Sequence, residues 1–325
     1  VVLIALLVVM LVLVPVATQK ENILNLAILI LLYVCLGSSW NILGGYTGQT
    51  NLGFAAFFGL GALATRALWT SGFPLFPSLL AGGILAVGFA LLIGAPAFRL
   101  KGVYFAIGTL ALAQILYITV GNVFSDITAL PPQDLATYQL TPRYYLFLGL
   151  AILTIGTTYF LVNSRRGLGI MAVREDENAA ESLGIDALRH KLLALSVSAF
   201  FGGLAGGAFA YYHVGYYPQL PFSPEWTFDS MIMVYIGGVG TIVGPIIGAI
   251  FFVVMREFLA LRVAELHLVV FGVIFILVVM FMSGGFVGVW NTFLARLARR
   301  SERKKTGDAP SQGQVEMPPV ASSPK

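Results

Sequence analysis

The chain has 325 residues, 58% of them hydrophobic and 10% charged, with a formal net charge of +4 and a mean hydropathy of +0.87. Those values exclude an ordinary soluble domain, and continuous apolar runs rich in Leu, Ile, Val and Phe exclude a β-barrel built from alternating strands. The single cysteine, Cys35, lies in an apolar run and excludes an intrachain disulfide or a thiolate metal cluster.

The pattern predicts an all-α polytopic membrane protein with about ten transmembrane or half-membrane helices. Spans are read at 1–17, 23–43, 52–70, 75–97, 102–120, 143–163, 191–212, a short pair inside 228–259, and 266–288. The first run also fits a secretory apolar region, because the small residues of VPVAT follow it. Assigning linkers alternately puts Arg99, Lys101, Arg165, Arg166, Arg174, Arg189, Lys191, Arg296, Arg299, Arg300, Arg303, Lys304 and Lys305 on one side. Only Lys20, Arg66, Arg143, Arg256 and Arg262 fall on the other, so the first side is read as cytoplasmic. Parity then requires an even number of crossings between the linker at 164–190 and the basic tail. Two full spans need about 40 residues, more than 228–259 provides, so two short helices or a re-entrant hairpin are expected there, joined near GGVGTIVGP. This organisation gives a transmembrane domain over 1–295, with a cytoplasmic loop at 164–190, and a basic, then disordered, cytoplasmic tail over 296–325.

Chemistry is sparse. The sequence has no GxxxxGK[ST], no HExxH and no metal-ligand spacing around His190, His213 or His267, and no nucleic-acid partner is expected. Asp126, Asp134, Asp186, Asp229 and Asp308 are read as lying outside the spans or at their edges. Arg66, Arg256 and Glu257 are read near span ends, where snorkelling or mutual pairing accounts for them. With no ionisable relay at depth, energy for any transport is expected to come from a partner.

Three stretches stand out. In AVREDENAAESLGI, Arg174, Glu175, Asp176 and Glu177 form a charge cluster that opens a short helix through Asn178, Ala179 and Ala180, with Gly184 as its stop. Val173, Ala180, Leu183 and Ala187 are expected to share one apolar stripe, with Glu175, Glu181 and Asp186 facing elsewhere, a form suited to a partner's groove or to a plain surface connector. In GGYTGQTNLG, Gly45 and Gly48 interrupt an apolar run while Gln49, Thr50 and Asn51 bring polar groups to the rim, either as a turn or as neutral hydrogen-bonding groups along a path. In GGVGTIVGPIIG, Gly238 precedes Gly240, Gly244 and Gly248, whose four-residue spacing suggests one closely packed helix face, and Pro245 suggests a helix start after a break. That break either serves packing alone or borders a translocation path.

Asn178-Ala179-Ala180 followed by Gly184 resembles the E-A-A-x-x-x-G coupling loop of ABC importer permeases, with Asn178 in the acidic position. SRRGLGIMAVREDENAAESLGIDALRHKLLALSVSAFFGGLAGGAFA, NILGGYTGQTNLGFAAFFGLGALAT, LKGVYFAIGTLALAQI and SPEWTFDSMIMVYIGGVGTIVGPIIGAIF resemble the branched-chain amino-acid permease family, its LivM-type subunits in particular. The resemblance covers most of residues 40–256. It departs from the family pattern at VFSDITALPPQDL, at FMSGGFVGVW and at Asn178. It implies the ABC importer permease fold and a non-enzymatic membrane subunit in the bacterial inner membrane, its C-terminus cytoplasmic. It also implies a second homologous permease subunit, two ATP-binding cassette subunits that hold ATP and Mg, and a periplasmic substrate-binding protein. Branched-chain amino acids are the implied cargo, moved by alternating access. Urea or short amides, carried by sister branches, and a stand-alone channel or ion-coupled carrier are the alternatives.

Overall fold

The computed structural model describes residues 10–16, 20–124, 128–130, 135, 138–262, 269, 272–273, 276, 280 and 284–290. After a helical stretch at 10–16 come α1 (Glu21–Gly44), α2 (Phe54–Thr70), α3 (Leu75–Ala97), α4 (Val103–Val123) and β1 (Thr128–Ala129). Next are α5 (Leu140–Val162), α6 (Arg165–Glu175), α7 (Glu177–Ser182), α8 (Ala187–Tyr212), β2 (Gly215–Tyr216), a 3-10 turn (Leu220–Phe222), α9 (Glu225–Gly237) and α10 (Gly244–Arg262). Contacts separate Val1–Gly288 from Val289–Lys325; of the latter unit, only 289 and 290 are described, and both are helical.

Among the described residues, six helices (α1, α3, α4, α5, α8 and α10) are long and apolar enough to cross a membrane. The expected spans at 23–43, 75–97, 102–120, 143–163 and 191–212 correspond to the first five of these, and the all-α polytopic class holds. The span expected at 52–70 is α2, which at 17 residues is shorter than the rest. The region 228–259 is broken as expected, but the two helices, of 13 and 19 residues, extend from 225 to 262, and the second is not short: it is long enough to cross a membrane. Most of 1–17 and 266–288, and all of the basic tail, lie outside the described residues.

The centre of the fold is a packing of α2, α3 and α8, made close by small residues. A methyl group at Gly206 of α8 would collide with the Phe58 carbonyl of α2, and one at Gly61 would collide with Gly203. Gly82 of α3 faces Gly61, and Gly203 faces Ala86. Around this contact the buried rings of Phe54, Phe57, Phe58 and Phe209 fill the space left where backbones diverge.

Two polar expectations are corrected. Arg66 does not snorkel: it is 2% exposed and donates to the carbonyls of Ala210, His213 and Val214. The end of α8 leaves carbonyls without helical donors, and this guanidinium supplies them beneath the β1–β2 ladder. Asp229, read as a span-edge residue, instead accepts from Tyr33 Oη at 3.0 Å, and Tyr33 is in the middle of α1. Arg256 pairs with this Asp229 at 3.0 Å and with Glu225 at 3.5 Å, while Glu257 is exposed. The pairing is between helices, which residue spacing along one helix does not reveal.

Replacing Gly206 by Val forces α8 off the α2 backbone, which cannot yield as a side chain can. The expected loss is about 2–3 kcal/mol, read as a fall in the thermal midpoint in detergent; Gly88→Ala, which meets nothing within 4 Å, leaves it unchanged.

Candidate functional site

Between α9 and α10, residues 238–243 leave the helical conformation and their backbone groups need partners. Asn41, in the last turn of α1, supplies two of them: its Oδ1 accepts from Gly240 N–H at 2.9 Å and its Nδ2 donates to the Thr241 carbonyl at 2.9 Å. Thr241 Oγ1 donates to the Gly238 carbonyl at 2.8 Å and accepts from Gly244 N–H at 3.0 Å, closing the turn and opening α10. Pro245 follows as the second residue of α10, where its missing donor is harmless. Gly240 has φ +72°, so it belongs to the turn and not to a shared helix face with Gly244 and Gly248. Those two do serve close approach: methyl groups there would collide with the carbonyls of Gly238 and Met233.

The stretch 164–187 folds as a lever of two short helices. Ser164 caps α6 by accepting from Gly167 N–H at 3.1 Å, and Asp176 caps α7 by accepting from Ala179 N–H at 2.9 Å. Gly184, with φ +83°, ends the turn, and Asp186 caps α8 at Arg189 N–H. Val173, Ala180 and Ala187 are buried together as expected, but Leu183 is 81% exposed. The stripe fails there because the chain turns at Asp176 and again after Ser182, so a single helical register does not run from 173 to 187. Glu175, Asp176, Asn178, Ala179, Glu181 and Gly184 are exposed beside Leu183. Glu177 turns inward, its carboxylate 2.7 Å from Lys191 Nζ, and Lys191 is 4% exposed at the start of α8. The pair links α7 to the start of the membrane-length helix, and removing Glu177 would leave the buried lysine charge uncompensated.

Arg174 joins these parts. A Cβ built on Gly240 would stand 2.5 Å from Arg174 Nη1, and one on Gly48 would stand 3.1 Å from its Cγ. Its side chain therefore rests in a seat made by glycines of the two other stretches. Burial pushes the neighbouring Tyr46 hydroxyl up to about 12, and the Arg174 charge draws it partly back. Gly45 is fixed by Asn41, whose carboxamide occupies the place of a side chain there. Asn51 is buried: its carbonyl accepts from Trp40 Nε1 at 2.9 Å and its Oδ1 from Gly53 N–H at 2.8 Å. Gln49 and Thr50 are half-buried. The polar groups of Asn51 thus serve the loop itself, and the three stretches separated in sequence form one assembly.

At the opposite end of the bundle is a cleft of about 800 Å³, lined by Lys20, Glu21, Asn25, Tyr138, Tyr212 and His213 among others. Tyr212 Oη donates to Asn25 Oδ1 at 3.0 Å, and Tyr138 Oη donates to the Tyr212 carbonyl at 2.9 Å. Burial, with Arg66 nearby, pushes the His213 imidazole down to about 4. Among the described residues no group of three His, Cys, Asp or Glu is placed to hold a metal.

Asn41 and Lys191 were not anticipated. Each carries a signal in retrospect, a carboxamide and a cation within apolar spans, where burial is unfavourable without a partner. The partners, at Gly240 and Thr241 for one and Glu177 for the other, are set by tertiary structure.

Residues 22–279 match the family model described as the branched-chain amino acid transport system / permease component. The chain is 30% identical to the high-affinity branched-chain amino acid transport system permease protein LivM of Escherichia coli (strain K12), over 72% of this chain and 62% of that protein. It is 29% identical to the protein of the same description in Salmonella typhimurium (strain LT2), over the same shares. The identity is 24% to the probable branched-chain amino acid transport permease protein LivM of Methanocaldococcus jannaschii, over 50% of each chain. This chain therefore spans 62% of the length of the first two relatives. No solved structure matches it.

Two measurements check this geometry. Asn41→Ala removes both bonds to the turn at 240–241 and should lower stability by about 2 kcal/mol in thermal unfolding. For His213, the folded pKa of about 4 lies below the ordinary 6.5, so the unfolded chain binds the proton more readily between these values. Stability should fall as pH drops through that window, and His213→Gln should flatten the fall.

Proposed function

The chain belongs to the branched-chain amino-acid transport system permease family, and from that membership we propose that it is a membrane subunit of a bacterial ABC importer for branched-chain amino acids. It is a multi-pass subunit of the inner membrane with the lever and the C-terminus in the cytoplasm. Its membrane domain occupies 1–295, and 296–325 is a cytoplasmic tail. The observation that carries the reading is the seat of Arg174 against Gly48 and Gly240. It connects an exposed lever to the one helix break between α9 and α10, so a displacement of the lever moves backbone inside the bundle.

In this reading two ATP-binding cassette subunits grip the lever, and ATP and Mg are bound on them. Leu183, exposed beside Glu175, Glu181 and Gly184, is the apolar knob that enters their groove. The Lys191–Glu177 pair passes the motion to α8, and Arg174 passes it to Gly240. A second, similar permease subunit completes the path. A periplasmic binding protein delivers solute at the end that carries the 800 Å³ cleft. The chain itself performs no hydrolysis: its lever geometry transmits force and holds no nucleotide-binding sequence.

Leu183→Glu tests the coupling with little risk to folding, because the side chain is 81% exposed, whereas Ala180 is 3% exposed and a bulky replacement there would disrupt the lever itself. The variant should lose co-purification of the ATPase subunits and at least about tenfold of ATP-driven leucine uptake, with the thermal midpoint of the chain unchanged. Retained ATPase subunits and undiminished uptake would overturn the assignment.

A further inference from the structure

We propose that Glu225, Asp229, Arg256 and Tyr33 form a site where α1, α9 and α10 meet for the charged head of a zwitterionic α-amino acid. The solute carboxylate pairs with Arg256 and its ammonium with Glu225. The proposal rests on the importer reading above and adds to it the place where solute is recognised.

Depth is the first argument. Tyr33 is in the middle of the 24-residue α1, and its hydroxyl donates to Asp229 at 3.0 Å and accepts from Arg256 Nη1 at 3.1 Å. The start of α9 is also deep, since Phe222 lies against Gly59, Trp226 packs on Phe58 and Phe209, and Thr227 Oγ1 accepts from Ala55 N–H at 2.8 Å. The chain between α8 and α9 thus dips into the bundle, and α9 is a half-length helix whose first residue, Glu225, is charged.

Exposure is the second. The Glu225 side chain is 62% exposed and that of Arg256 36%, against 14% for Asp229. Charged groups at this depth do not face hydrocarbon; they face water or protein. Asp229, held by both Tyr33 and Arg256, is a structural partner. Glu225 is a second carboxylate on the same guanidinium, at 3.5 Å and without a hydrogen bond to it among the described residues, so its pairing is the looser and more exchangeable one.

Charge balance selects the ligand class. Two carboxylates and one guanidinium leave one negative charge in excess. A solute carboxylate alone adds to that excess; an ammonium that draws Glu225 to itself leaves Arg256 Nη2 without a partner, because Nη1 is held by Tyr33 and Asp229, and a zwitterion brings the carboxylate that replaces Glu225 on Nη2 together with the ammonium that Glu225 then pairs. From Glu225 the same face of α9 continues through Phe228, Ile232 and Tyr235 to the break at 238–243, an apolar track for a branched side chain.

The test uses the complete transporter with its partner subunits in membrane vesicles. Glu225→Gln should raise the KM for leucine at least tenfold, by more than it lowers the maximal rate, and Arg256→Lys should weaken competition by a carboxylate analogue, 4-methylpentanoate, relative to an amine, 3-methylbutylamine. In a Cys35→Ser background, Glu225→Cys should react with a charged, water-soluble thiol reagent, and leucine should slow that reaction. An unchanged KM overturns the proposal, as does a thiol that reacts only with a lipid-soluble reagent or that cross-links to the second membrane subunit regardless of leucine. If wild-type vesicles take up no leucine yet another zwitterion protects the thiol, the cargo reading fails and this site stands. If leucine is taken up equally by Glu225→Gln, the site fails and the cargo reading stands.

Discussion

A polypeptide that leaves the helical conformation inside an apolar bundle must find partners for every freed backbone group, and this constraint organises the molecule. Residues 238–243 are such a departure, and Asn41 and Thr241 together satisfy Gly240 N–H, the carbonyls of Gly238 and Thr241, and Gly244 N–H at the start of α10. The consequences spread outward. Asn41 can hold the turn only if Gly45 has no side chain, and the turn can pass only if Gly240 adopts φ +72°. Space left beside Gly240, and beside Gly48 of the loop that follows α1, is where Arg174 of the lever rests.

The same economy of side chains governs the rest of the bundle. Where α2, α3 and α8 meet, Gly61, Gly82, Gly203 and Gly206 remove the atoms that would keep backbones apart, so the three helices pack backbone to backbone. The pair α9 and α10 is joined differently, through a short turn that a single guanidinium touches from outside. In the proposed importer, a pull at α6 and α7 would be expressed as motion in α9 beside this close-packed centre. The ionic cluster on Tyr33, Asp229, Arg256 and Glu225 lies across α1, α9 and α10, so it would feel that motion directly.

Much of the fold was legible in the sequence because its signals are local. Apolar run length placed the spans, and the residue count of 228–259 required a broken pair. The acidic cluster at its first turn and Gly184 marked α7, since the helix dipole and a stop residue act within about one turn of themselves. What sequence pattern missed depends on contacts distant in the chain. Leu183 belonged to an apolar stripe only if one helix continued across Asp176, and it does not. Gly240 matched the spacing of Gly244 and Gly248 yet lies outside their helix. Asp229 and Arg256 resembled edge charges because each partner is on another helix, 27 residues apart for the pair itself and 196 from Asp229 to Tyr33. Of the site, the three stretches were visible separately, and their convergence on Arg174 was not.

In the proposed importer Arg174 couples the lever to the break between α9 and α10. Hydrogen exchange at the amides of residues 238–243 tests it most directly, comparing the wild-type chain with Arg174→Ala in the same membrane mimetic. Coupling through Arg174 requires faster exchange at Gly240 and its neighbours in the variant, with the amides of α2 and α8 unchanged. Equal exchange across 238–243 in the two proteins would contradict it.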